Sequence, residues 1–171
     1  MKLDDAIKVA LEYEKGVEQV YSEAMNKTSD VSAKRIFEVL CKEEADHVTY
    51  LQSRLKEWEQ AGKIEVKSLG TLIPGRESIK KSLEDLAITV KPKPTKLVLE
   101  IELLKKALES EIKTSNFYKE MVQKLDGDGQ KLFERFVEIE EGHEAIVQAQ
   151  IDAAANWGFW FDTPEFRLES E

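Results

Sequence analysis

The chain has 171 residues, 42% hydrophobic and 35% charged, which suits one soluble globular domain with a real core. Its formal charge of -9 argues against a nucleic-acid partner, which needs a basic face, and no run approaches a membrane span, so a cytoplasmic protein is expected. Cys41 is the single cysteine, which excludes an internal disulfide and any Cys-x-x-Cys metal site; beside Leu40 on a helical pattern it reads as a small buried hydrophobe.

Apolar periodicity predicts four long helices. Over about 4–27, Ile7, Ala10, Leu11, Val17, Tyr21, Ala24 and Met25 recur at three and four, and Glu14 falls on the same stripe. Thr28-Ser-Asp30 breaks the pattern and offers oxygens to cap a second helix over 31–60, which turns Glu44 and His47 inward and stops at Gly62. Residues 63–94 are irregular: Pro74-Gly75 signals a turn, a short helix fits 78–88, and Lys91-Pro-Lys-Pro94 is stiff. Such a segment can return the chain about 40 Å along a bundle, as a long crossover between the second and third helices.

The third helix is expected from Thr95 to Leu125, with Leu97, Ile101, Leu104, Glu111, Tyr118 and Met121 inward. Asp126-Gly-Asp-Gly129 resembles the start of a calcium loop, but Phe133 and Phe136 follow where oxygen ligands would be needed, so it reads as a turn between helices. A fourth helix over 130–156 turns Phe133, Phe136, Glu140, His143 and Val147 inward. The aromatic tail 157–171, with Trp157, Phe159, Trp160, Phe161 and Phe166, would be adhesive if exposed and is expected to cover its own bundle or a neighbouring subunit.

Two acids and one imidazole per half are anomalies only of position. Glu44 and His47, like Glu140 and His143, are three residues apart and share a helix face. A lone inward Glu precedes each pair by one helical hairpin, Glu14 before Glu44 and Glu111 before Glu140. An internal repeat supports the pairing: an offset of 97 carries Glu14 and Tyr21 onto Glu111 and Tyr118, and an offset of 96 carries Phe37, Leu40, Glu44 and His47 onto Phe133, Phe136, Glu140 and His143. Two such hairpins packed face to face bring four carboxylates and two imidazoles to one level of a four-helix bundle, a donor set suited to iron or manganese.

Glu14 with Tyr21, Glu44-x-x-His47, Glu111 with Tyr118 and Glu140-x-x-His143 resemble the di-iron domain of the rubrerythrins, in the ferritin-like superfamily, over roughly residues 4–155. The resemblance implies an all-α fold, a ferritin-like antiparallel four-helix bundle forming a single domain over 1–171. It implies Glu14 and Glu111 as single-helix ligands, Glu44 and Glu140 as bridging ligands, and His47 and His143 as terminal ligands of two iron ions, with manganese as the alternative. Tyr21 and Tyr118 would stand behind these ligands. The implied activity is reduction of hydrogen peroxide or dioxygen with electrons from a separate donor protein, in a homodimer. Two departures stand out: the four cysteines of a rubredoxin module are missing, and 112–117 reads Ile-Lys-Thr-Ser-Asn-Phe where rubrerythrins carry a further Glu. Ferrous-iron oxidation for storage, and a metal-free helical scaffold, stay open beside the oxidoreductase reading.

Overall fold

The computed structural model describes residues 1–167, so residues 168–171 of the expected tail lie outside the described residues. It is all-helical among those residues, with α1 (Leu3–Lys27), α2 (Val31–Ala61), α3 (Arg76–Thr89), α4 (Val98–Lys124) and α5 (Gly127–Trp157). Also among them, no helix is long and apolar enough to cross a membrane. The packing pairs α1 with α2, α4 with α5, α1 with α4, and α3 with α5.

Local chemistry sets the ends. The Asp30 side chain accepts the Ala33 N–H at 2.7 Å and starts α2, while Gly62, at φ 66°, closes it with its N–H on Trp58 O. Two expected boundaries are corrected. The third long helix begins at Val98 rather than Thr95, because the Thr95 hydroxyl accepts the Leu97 N–H at 3.0 Å and holds a turn after Pro94. The last helix begins at Gly127 rather than Gln130, so most of the Asp126–Gly129 stretch is the first helical turn instead of a separate loop. Gly129 lies there with Leu3 Cδ1 3.2 Å from where a Cβ would stand, so a larger residue would ask that side-chain tip to shift by a few tenths of an ångström.

Two apolar clusters fill the bundle. One gathers Tyr21, Phe37, Leu40, Leu104, Ile146 and Trp157; the other gathers Ile7, Leu51, Tyr118, Phe133 and Phe136. The first joins the late part of α1 to the early part of α2, and the second does the reverse, as antiparallel hairpins require. Between them lies the level of Glu14, Glu44, Glu111 and Glu140.

The connection from α2 to α4 carries α3 and is clamped onto the bundle. Leu69 O accepts from Arg135 Nε at 3.0 Å and Nη2 at 2.8 Å, and Ile64, Leu69 and Ile73 are buried. The tail lies on its own bundle: the Gln150 amide accepts the Phe161 N–H at 2.9 Å and donates to Phe161 O at 2.6 Å, the Trp160 indole donates to Asp30, and Phe161 and Phe166 are buried. Cys41 is half-buried against the core, its thiol 3.6 Å from Glu18 O.

Candidate metal centre

Helical phase delivers every side chain of the centre. Glu14 is on α1, Glu44 and His47 are one turn apart on α2, Glu111 is on α4, and Glu140 and His143 are one turn apart on α5. All six are fully or almost fully buried. The structure therefore brings together all six residues singled out from the sequence.

Their geometry has two kinds of carboxylate. Glu44 places Oε2 3.4 Å from His47 Nδ1 and Oε1 2.8 Å from His143 Nδ1. Glu140 does the same with Oε1 at 3.6 Å and Oε2 at 4.0 Å. Each thus spans the two imidazoles, one oxygen to each. Glu14 serves only His47, at 3.1 Å, and Glu111 only His143, at 3.8 Å. The two rings lie face to face, 5.2 Å apart and 11° from parallel.

Tyr21 of α1 donates its hydroxyl to Glu111 Oε1 of α4, and Tyr118 of α4 donates to Glu14 Oε1 of α1. Each phenol fixes one oxygen of the opposite hairpin's lone acid: Tyr118 leaves Glu14 Oε2 turned to His47, whereas Tyr21 holds the same Glu111 oxygen that faces His143 and leaves Oε2 without a partner. Burial, then the nearby carboxylates, pushes both phenols well above their usual range, so they stay neutral donors.

Packing this many acids together sets their charge. Burial and then repulsion from neighbouring carboxylates raise Glu44 and Glu140 well above the ordinary carboxyl range. For Glu14 burial pulls upward, but His47 and the Tyr118 hydroxyl outweigh it and the pKa falls. Burial would lower both imidazoles, yet the surrounding carboxylates win, raising His47 and carrying His143 to about 10. Without a cation the centre is thus held together by protons.

The donor set fits a metal better than it fits itself. Both oxygens of Glu44 and Glu140, Oε2 of Glu111 and both nitrogens of His143 are buried without a hydrogen-bond partner. The 2.8 Å approach of His143 to Glu44 is an ion pair that lacks hydrogen-bond alignment. Buried polar atoms left unpaired are costly, and convergent carboxylate and imidazole atoms are what a divalent cation satisfies. Two groups of donors close enough to hold an ion share Glu44: Glu14, Glu44, His47 and Glu140, and Glu44, Glu111 and His143.

Sequence reasoning missed Glu43. It is buried, its Oε2 is 3.7 Å from His143 Nε2, and it accepts the Thr71 hydroxyl and the Leu72 N–H, the latter at 3.0 Å. Burial works against its charge, but His143, Thr71 and Leu72 prevail and hold it at about 2. Its phase was the available signal: three residues after Leu40 and four before His47, it borders the inward stripe, and only the crossover that covers it is invisible to periodicity. Glu100, buried and bonded to the Thr28 hydroxyl at 2.6 Å, is a second unforeseen acid, about three turns before Glu111 on α4 and engaged at the α1–α2 turn rather than with the imidazoles. No known family model matches the chain, and neither does a curated protein or a solved structure.

Proposed function

We propose that this chain is a ferritin-like di-iron carboxylate oxidoreductase, reducing hydrogen peroxide or dioxygen with electrons from a separate donor. The observation that carries the reading is the division of labour among the acids: two that each span both imidazoles and two that each serve one, arranged with near two-fold symmetry. A Glu from each of two helices with a Glu-x-x-His from each of the other two is the donor set of dinuclear carboxylate bundles. Two redox-active ions bound at such a site would supply two electrons to one oxidant.

The chain's own residues do the rest. Glu44 and Glu140 would hold the ions as a pair, Glu14 and Glu111 would anchor the outer sides, and His47 and His143 would offer Nδ1 to one ion each. Tyr21 and Tyr118 keep the lone acids oriented, and the apolar clusters on either side exclude bulk water. Manganese satisfies the same donors, so metal identity is a matter for analysis of the purified protein.

Protein purified without chelators, or reconstituted anaerobically with ferrous iron, is expected to hold about two iron ions per chain. Mixed rapidly with peroxide, it should oxidise at least about tenfold faster than Glu44→Ala with Glu140→Ala. Equal slow rates overturn the redox reading, and no metal uptake overturns the centre.

A further inference from the structure

Glu43 is an acid that the six-residue centre does not use, and it faces in two directions. Inward, its Oε2 lies 3.7 Å from His143 Nε2, a nitrogen with no hydrogen-bond partner. Outward, it stands in the wall of a surface pocket of about 580 Å³ between α2 and residues 70–72. There it gathers the Thr71 hydroxyl and the Leu72 N–H. The same stretch is fixed on either side, at Leu69 O by Arg135 and at Pro74, whose carbonyl lies 2.9 Å from where a Cβ on Gly142 would stand.

We propose that Glu43 is the positioning residue of His143 and couples metal occupancy of the centre to the crossover segment 69–74. The inference rests on the dinuclear reading above. A histidine that offers Nδ1 to a metal carries its proton on Nε2, and a carboxylate behind it fixes that tautomer and ring direction. Distance supplies the coupling. Metal bonds from nitrogen and oxygen are about 2.0–2.2 Å, which would place two neighbouring ligand atoms about 2.8–3.1 Å apart at a right angle and about 3.3–3.6 Å apart at the tetrahedral angle of zinc. His143 Nδ1 sits 2.8 Å from Glu44 Oε1, at the short end of that range, so a tetrahedral ion such as zinc seated there would spread the pair. The ring has room to move on the opposite side, where the gap to Glu43 exceeds hydrogen-bond length. Loading thus closes the Nε2–H bond to Glu43, and Glu43 tightens on Thr71 and Leu72.

Zinc, which is diamagnetic and accepts the same donors, is the probe. In the zinc-loaded full chain, nitrogen-15 spectra are expected to show His143 metal-bound at Nδ1 and protonated at Nε2. Amide exchange at Leu72 and Ile73 should slow by about tenfold or more on zinc addition. Glu43→Gln is expected to weaken zinc binding by about 10- to 100-fold and abolish the exchange response while the helical circular dichroism persists. Thr71→Val, at a half-buried position, tests the link from the other end and should lessen the exchange response with the six donors intact. Unchanged affinity in Glu43→Gln, or amides at 72 and 73 indifferent to zinc in the parent chain, overturns the proposal and leaves the centre standing. A parent chain that takes up no zinc overturns both.

Discussion

Tyr118 shows how much a single oxygen matters here. Its hydroxyl is the donor that holds Glu14 Oε1, and both groups are fully buried. Tyr118→Phe preserves the ring among Phe117, Phe133 and Phe136 but leaves that oxygen without its donor. A loss of about 1–3 kcal/mol in the metal-free protein is expected, read by chemical denaturation. Phase alone made Glu14, Tyr21, Glu111 and Tyr118 legible, because an acid or phenol on an apolar stripe is visible in one dimension. The partner of each phenol was not legible, since the hydrogen bonds run between hairpins some ninety or a hundred residues apart in the chain.

At the level of elements, the four long helices follow from their stripes and caps, and the crossover is where reading from sequence weakened. A short helix over 78–88 was expected, and α3 runs Arg76–Thr89, but its docking on α5 depends on contacts that no local pattern encodes. Gly142 is such a contact. A methyl group there would stand 2.9 Å from Pro74 O, so Gly142→Ala forces the crossover off α5 and should cost about 1–3 kcal/mol, with a lower melting temperature despite alanine's better helix propensity. The tail depends on a similar clasp. Gln150→Leu removes both bonds to the Phe161 backbone and is expected to destabilise the fold by about 2 kcal/mol; protease cleavage after Phe159 or Phe161 reports the loosened tail.

Across the whole molecule, the centre makes stability depend on pH in opposite senses with and without metal. In the metal-free protein, Glu44, Glu140, His47 and His143 all bind protons more tightly folded than unfolded. For His143 the contribution is fully present below its unfolded value near 6.5 and is lost as pH rises through about 10. The two raised carboxyls act with the same sign, since above the ordinary carboxyl range the folded state retains protons that the unfolded chain has released. The melting temperature of metal-free protein should therefore fall from pH 6 to pH 10. Bound metal replaces those protons, adding about 4 kcal/mol when free metal exceeds its dissociation constant a thousandfold, and acid reverses this by competing for the same atoms. Calorimetry with and without metal should show the two curves diverging as pH rises from 5 to 8; parallel curves count against a buried dinuclear site. The exchange of phenols between hairpins has one more consequence. Each half of the chain finishes the ligand set of the other and not its own, so a lone hairpin carrying a Glu, a Tyr and a Glu-x-x-His would complete its site by meeting a copy of itself. The doubled sequence, joined by the crossover, thus carries in one chain the two copies that such a site would otherwise need from two.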